Sequence, residues 1–275
     1  MDQRTATAPG KIILTGEYAV LFGKRGIAVP SAECVTVTWT EDVSMPDPVI
    51  VWGSKVEQRW TEYVERILFL LQEHIGPLHG TLGIACNIPL GKGLGSSTSL
   101  VIAISRCFLG KTCGKIALSI ENEINPGHSG IDFAVIWANE PILYSQNREP
   151  EIVELPKDAL KCATLIDSGT PNETTKELVA WMKNKYPAAG TPRPGSEEMT
   201  VYEAIERIGE CTERLLRGES LRTVMRDHHR AQVALGIVPE STQRLIEEIE
   251  FDGGSAKVIG AGGRTGGGGM VLKLA

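Results

Sequence analysis

Residues 87–99 read "NIPLGKGLGSSTS", with glycines at alternate positions (Gly91, Gly93 and Gly95) and hydroxyl side chains at 96–99. The next segment, "LVIAISRCFL", is apolar enough to predict a buried helix. Glycine permits left-handed backbone and close approach, while a helix N-terminus offers unpaired N–H groups and partial positive charge. The stretch therefore predicts a loop–helix junction that is either an anion site or a tight turn with a serine cap.

Known phosphate motifs do not settle this choice. The Walker A motif needs GxxxxGK[ST], and the Rossmann motif needs a third glycine where this chain has Ser96. Spacing alone therefore leaves both interpretations open.

Two further stretches carry candidate catalytic groups. In "APGKIILTGEYAVLFGKRGIAVP" (8–30), Lys11 begins a predicted strand and is either solvated or held beside a reacting hydroxyl or phosphate. In "ENEINPGHSGIDFAV" (121–135), Asp132 follows a turn and is a turn former, a general base or an electrostatic anchor. Glu121, on a predicted helix, could join a hydroxyl such as Ser97 in a Mg²⁺ site of oxygen ligands.

The C-terminal stretch "KVIGAGGRTGGGGMVLKL" (257–274) has seven glycines within residues 260–269. It predicts two strands joined by either a mobile hairpin loop or a second backbone wall for an anionic ligand.

Composition narrows the class of protein. The 275 residues carry a net charge of −6 without a basic cluster, which argues against a nucleic-acid partner. The six cysteines are scattered and form no CxxC pair, as expected for reduced thiols. No apolar run reaches the roughly 20 residues of a membrane span, and "MDQRTATAPGK" has no signal-like apolar region. We therefore expect a cytoplasmic protein without a membrane partner.

Hydrophobic periodicity predicts helices and strands in both halves, hence an α+β or mixed α/β fold. A stretch at 149–156 that carries proline and charge places the boundary between domains 1–155 and 156–275. Strands are expected at 11–21, 33–41, 80–89 and 161–169, and in the apolar segments after the turn at 127–130. Helices are expected at 61–76, 97–110, 113–125, 172–186 (capped by Asn172), 199–218, 220–237 and 239–251, with a Pro/Gly loop at 188–198.

Together the four stretches resemble the motifs of the GHMP kinase superfamily. "PLGKGLGSSTS" is similar to its Pro-x-x-x-Gly-Leu-Gly-Ser-Ser loop, "HSGID" to its Pro-Ser-Gly-Ile-Asp motif, and "LIDSGTPNETTKELV" to the segment that begins its C-terminal domain. The resemblance implies a two-domain fold, with an N-terminal domain like ribosomal protein S5 domain 2 and a ferredoxin-like C-terminal domain. ATP and substrate would meet in the cleft between them.

The resemblance also implies roles by position. Asp132 would accept or orient the substrate hydroxyl proton, Lys11 would lower the pKa of that hydroxyl and steady the γ-phosphoryl group, and Ser97 and Glu121 would hold Mg²⁺. The ATP phosphates would contact Gly91, Lys92, Gly93, Leu94, Gly95, Ser96, Ser97 and Thr98. Substrate contacts are expected from Glu17, Tyr18, His128, Ser129, Gly130 and Gly262.

The chain departs from the family pattern at three places. Tyr18 stands where histidine is common, His128 where proline is usual, and the glycine loop at 260–269 is longer. His128 could contact the anionic end of the substrate or simply cap its turn. His228 and His229 lie on a predicted helix without ligand spacing, so we expect solvated or core positions.

The implied activity is ATP-dependent phosphorylation of a small anionic hydroxy acid, with mevalonate as first candidate acceptor and phosphomevalonate or another small molecule as the second. A non-catalytic nucleotide-binding regulator on the same scaffold is the alternative from a different class. The resemblance also allows a homodimer.

Overall fold

The computed structural model describes residues 3–156, 159–186 and 199–275. The first part of the chain forms a mixed sheet in the order β3-β4-β2-β5-β6, with β1 paired to β2. Its strands are β1 (Gln3–Thr15), β2 (Arg25–Glu41), β3 (Val49–Trp52), β4 (Gly80–Cys86), β5 (Ile142–Ser145) and β6 (Glu151–Ile152).

Strand β2 is the centre of this sheet. It pairs antiparallel with β1 along most of its length, with β4 through residues 35–41 and with β5 through residues 25–28. β1 ends earlier than the predicted strand at 11–21. Gly16 turns the chain with a φ of +102°, and a 3₁₀ turn, Ala19–Phe22, follows. A Cβ on Gly16 would lie 2.4 Å from the Gly26 Cα, so this turn requires glycine.

Four helices accompany this sheet: α1 (Gln58–Ile75), α2 (Ser96–Leu109), α3 (Gly114–Ile124) and α4 (Ile131–Ala138). The predictions of α1, α2 and α3 are confirmed within a few residues. The prediction of a strand directly after the turn at 127–130 is wrong, because residues 131–138 form α4. That segment is almost wholly apolar, so it has no periodicity to separate helix from strand, and its packing on α2 and β1 decides the outcome.

The second part of the chain contains a three-stranded antiparallel sheet in the order β7-β9-β8, formed by β7 (Ala163–Asp167), β8 (Ser255–Val258) and β9 (Met270–Leu274). Its helices are α5 (Thr175–Lys185), α6 (Val201–Leu216), α7 (Leu221–Leu235) and α8 (Glu240–Phe251). The expected Asn172 cap is wrong. Thr174 caps α5 through a reciprocal capping box with Glu177. The predicted loop at 188–198 lies outside the described residues.

The two parts share their hydrophobic packing. One apolar cluster fills the space between the first sheet and its helices and also takes in side chains of α6, α7 and β9. A second cluster packs α5 to α8 on β8 and includes Tyr18 and Ala19 from the first part. The α+β class is confirmed, and the domain boundary at 155/156 stays a prediction. Within the described residues, every helix is too short or too polar to cross a bilayer.

Candidate active site

The glycine loop leads directly into the N-terminus of α2. Gly91, Gly93 and Gly95 all have positive φ, at 72°, 88° and 76°. Gly95 precedes the helix, and none of the described side chains caps it. The first N–H groups of a helix have no acceptor inside the helix, and these are available to an anion. The Ser96 hydroxyl accepts a bond from the Gly91 N–H at 3.2 Å and so holds the loop closed.

Close packing explains why this loop needs glycine. A Cβ on Gly93 would lie 2.6 Å from the carbonyl oxygen of Ile259, at the start of the C-terminal glycine loop. A Cβ on Gly95 would lie 2.9 Å from Cγ of Lys11. The loop therefore lies between the second glycine loop and the stem of the candidate catalytic lysine.

Lys11 and Asp132 form an ion pair beside the loop. The Lys11 Nζ lies 3.1 Å from an Asp132 oxygen, with the lysine 2% and the aspartate 35% exposed. The Lys11 N–H donates to the Leu94 carbonyl at 2.9 Å, which ties β1 to the glycine loop. Asp132 lies in the first turn of α4, which begins after Gly130 at a φ of +89°. A buried cation thus faces a carboxylate that is open on one side.

Glu121, on α3, places a second carboxylate near Asp132. It is buried, and one oxygen accepts bonds from the Thr98 hydroxyl at 2.8 Å and the Asn125 amide at 3.1 Å. Its other oxygen has no hydrogen-bond partner among the described residues. Burial raises the pKa of Glu121 to about 7, with a further contribution from the Asp132 charge. A buried, under-bonded carboxylate oxygen beside hydroxyls suits a hard cation such as Mg²⁺.

Ser97, the predicted magnesium ligand, is half-buried in the first turn of α2, next to Thr98. Its hydroxyl contacts Tyr63, while Thr98 is the residue bonded to Glu121. Ser97 as a magnesium ligand stays a prediction.

Tyr144, a residue that sequence reasoning missed, holds the turn before α4 through a hydrogen bond. Its hydroxyl donates to the Ser129 carbonyl at 2.7 Å, and a Cβ on Gly130 would lie 2.3 Å from that hydroxyl. His128 Nε2 lies 2.7 Å from the Asn122 amide oxygen, and burial lowers the pKa of this histidine. The His128 side chain is therefore bonded to the preceding helix, α3, and it lies close enough to Asp132 to sense its charge.

The two candidate substrate residues at 17 and 18 lie inside the protein. The Tyr18 hydroxyl donates to the Ala261 carbonyl at 2.6 Å, and burial raises the pKa of this phenol. Glu17 is 3% exposed and pairs with Lys257 and His228. The sequence predicted that His228 and its neighbour His229 are either solvated or core residues. His228 is fully buried and His229 largely so, which confirms that both are core residues. The structure therefore does not bring Glu17 to an open surface beside Asp132.

The C-terminal glycine loop forms the second wall. Gly260 packs on Gly93, where a Cβ would lie 2.9 Å from the Gly93 Cα, and the Met270 N–H donates to the Lys92 carbonyl at 3.2 Å. The Lys92 ammonium pairs with Asp167 at the end of β7. Gly262 is buried, and a Cβ added to it would lie 2.3 Å from the Ile237 carbonyl oxygen. It therefore packs against the protein interior at the base of the loop.

Glu173, also missed from the sequence, anchors the tip of this loop. Its carboxylate accepts bonds from the N–H groups of Arg264 and Thr265, at 3.1 and 3.3 Å, and from the Thr265 hydroxyl at 2.8 Å. The guanidinium of Arg264 lies 4.5 Å from the Trp181 ring centre. Of the two earlier alternatives, the contacts therefore favour an anchored wall over a mobile hairpin.

A cavity of about 310 Å³ opens beside the first glycine loop. Ser54, Trp60 and Leu90 are among the residues that line it. The cavity adjoins this loop, since a Cβ on Gly91 would lie 3.5 Å from the Trp60 ring.

Comparison with known proteins agrees with this geometry. Residues 62–139 match the family described as GHMP kinases N terminal domain. The mevalonate kinase of Thermococcus sibiricus is 28% identical over 306 residues, which cover 98% of this chain and 88% of the relative.

Solved structures show the same fold. The Methanococcus jannaschii mevalonate kinase superposes with a TM-score of 0.74 at 19% identity, covering 98% of this chain and 90% of that one. The L. major mevalonate kinase in complex with R-mevalonate gives 0.75 at 20% identity, covering 100% and 87%.

The chain therefore has the fold of mevalonate kinases, and it places a lysine–aspartate pair beside a glycine loop at a helix N-terminus. Residues 62–139 of the chain are thus similar to the N-terminal domain of GHMP kinases, and nearly its whole length is similar to mevalonate kinases.

Proposed function

We propose that this chain transfers the γ-phosphoryl group of ATP to the 5-hydroxyl of mevalonate, releasing 5-phosphomevalonate and ADP. The observation that carries the proposal is the Lys11–Asp132 pair, 3.1 Å apart, beside an uncapped helix N-terminus. The nearly full-length similarity to mevalonate kinases supports the choice of acceptor.

The reaction follows from these groups. The acceptor hydroxyl oxygen forms a bond to the γ-phosphorus while the bond from that phosphorus to the β–γ bridging oxygen breaks, and its electrons leave with ADP. Asp132 takes the hydroxyl proton, because its carboxylate is the open member of the pair. Lys11 stabilises the negative charge that develops on the attacking and transferred oxygens.

The N–H groups at the start of α2 hold the phosphates, and the second glycine loop limits the access of water to them. We propose that the nucleotide base enters the cavity lined by Ser54, Trp60 and Leu90. Filling that cavity with Ser54→Trp should raise KM for ATP and leave KM for mevalonate unchanged.

Mg²⁺ would be held by Glu121 together with hydroxyls of the first turn of α2, since one Glu121 oxygen bonds the Thr98 hydroxyl, the other has no partner among the described residues, and the carboxylate senses the Asp132 charge. When bound, Mg²⁺ neutralises phosphate charge during transfer. Ser97, which the sequence predicts as a Mg²⁺ ligand, is one of these first-turn hydroxyls.

A coupled ADP-release assay with mevalonate and phosphomevalonate as separate acceptors tests the proposal. We expect turnover with mevalonate and little with phosphomevalonate, and the reverse preference would contradict the assigned acceptor. Turnover with neither compound, together with ATP binding, would favour a nucleotide-binding regulator.

A further inference from the structure

A buried charge cluster lies where the turn after β1 meets β8 and α7. The carboxylate of Glu17, in the turn after β1, pairs with the ammonium of Lys257 on β8. Its other oxygen lies 2.9 Å from Nε2 of His228 on α7. All three side chains are at most 3% exposed. The cluster therefore joins the first part of the chain to two elements of the second, away from solvent.

Glu17 and Lys257 carry opposite charges in this cluster. Burial alone would raise the pKa of Glu17, but the charges and hydrogen bonds of Lys257 and His228 outweigh it and lower that pKa to about 2. Burial lowers the pKa of His228, and its Nε2 lies 2.9 Å from the Glu17 carboxylate and 3.4 Å from the Gly16 nitrogen. The Glu17 and Lys257 charges lie on opposite sides of the interface.

Lys257 makes two further bonds that bear on catalysis. Its ammonium donates to the carbonyl oxygens of Ile13 and Val258, both at 3.1 Å. With Glu17, these acceptors use all three ammonium hydrogens. Ile13 is two residues from Lys11 on β1, so the anchored carbonyl is next to the backbone that carries the catalytic ammonium.

β1 is thus held on both sides of its catalytic residue. The Lys11 N–H bonds to Leu94 in the glycine loop, and the Ile13 carbonyl bonds to Lys257 in the second sheet. Glu17 also compensates the Lys257 charge, which lies close enough to Lys11 for the two cations to repel.

A buried ion pair is weak evidence of stabilisation, because neutral residues of similar volume often replace such pairs at no loss of stability. We propose that Glu17, Lys257 and His228 are positioning residues that fix β1 so that Lys11 stays aligned with Asp132 during phosphoryl transfer. This role rests on the proposed function, and it replaces the substrate contact expected for Glu17.

The double variant Glu17→Gln/Lys257→Met tests the proposal, because it removes both charges and the bond to Ile13 together. We expect a thermal unfolding midpoint close to that of the wild type, an unchanged Kd for ATP and a kcat at least tenfold lower. The matched control is Arg25→Met/Glu213→Gln, which removes another ion pair between the two parts, from β2 to α6. Its kcat should stay at the wild-type value. A double variant with wild-type kcat would overturn the proposal.

A cycle with Lys11→Met separates positioning from general damage. If the cluster acts through Lys11, adding the double substitution to Lys11→Met costs little further kcat, whereas losses that multiply would contradict the role. Should the double variant fail to fold, Glu17→Asp keeps the charge but shortens the side chain. It should lower kcat severalfold without changing Kd for ATP, and an unchanged kcat would overturn the proposal.

The failure of this inference can be told from failure of the proposed function. The ¹⁵N resonance of the Lys11 ammonium reports its surroundings without any acceptor present. It should shift in the double variant and stay in place in the Arg25/Glu213 control. If the wild type phosphorylates no mevalonate, the proposed function fails, but this resonance still tests whether the cluster positions Lys11. A resonance that does not shift in the double variant would refute that positioning role.

Discussion

Replacing Glu121 by glutamine should change the pH dependence of the free energy of unfolding. Burial raises the pKa of this carboxyl from 4.5 to about 7. The folded state therefore holds the proton more tightly than the unfolded state does. The sign follows directly: this group favours folding below pH 4.5, and that contribution is lost as the pH rises through about 7.

The size of the effect follows from the same values. One pKa unit corresponds to about 1.36 kcal/mol, so the rise from 4.5 to about 7 corresponds to about 3 kcal/mol. Between pH 5 and pH 8, linkage gives a loss of about 2–3 kcal/mol. Glutamine does not titrate and retains an oxygen for the Thr98 hydroxyl. The stability of Glu121→Gln relative to the wild type should therefore rise by about 2–3 kcal/mol over that range.

Urea denaturation at pH 5 and pH 8 in magnesium-free buffer measures this difference. Glu123→Gln is the matched control, since Glu123 lies on the same helix but is 51% exposed in its side chain. The control should show no comparable change with pH. If Glu121→Gln and the wild type lose stability equally between the two pH values, Glu121 does not carry a raised pKa.

The same substitution should lower kcat, because the proposed Mg²⁺ ligand is lost.

Three further substitutions test the site. Asp132→Asn should lower kcat, measured by ADP release, by about 10²- to 10⁴-fold. Calorimetry should show a Kd for ATP that is nearly unchanged. A small change in rate would rule out Asp132 as the base. Gly93→Ala forces a Cβ to within 2.6 Å of the Ile259 carbonyl at a φ of +88°, so thermal unfolding should reveal a loss of about 1–3 kcal/mol. Tyr144→Phe removes the bond to the Ser129 carbonyl, and kcat should fall about fivefold if that bond of about 1 kcal/mol aligns Asp132; unchanged kcat argues otherwise.

Much of this fold follows from sequence patterns. Amphipathic spacing predicted α1 and the helices from α6 onward, because their apolar positions recur at helical intervals. The glycine loops were visible because glycine alone combines positive φ with close backbone contact. Lys11 and Asp132 were singled out by motif resemblance, and the fold brings them together.

Other features had no local signal. Helix α4 is apolar all round, and its state depends on packing against α2 and β1. The pairing of Glu17 with Lys257 spans 240 positions of sequence, and that of Glu173 with the loop near Arg264 spans 91. Such contacts depend on how distant strands meet, which residue spacing does not contain. A lysine next to a glycine loop looks solvated until the sheet around it is known.

Phosphoryl transfer itself can be followed directly by ³¹P NMR of the wild-type chain mixed with ATP, Mg²⁺ and mevalonate. The account predicts a new phosphomonoester resonance that grows in a 1:1 ratio with ADP and is absent when Asp132→Asn replaces the wild type. ATP that stays intact, or is converted only to ADP and inorganic phosphate, would contradict it.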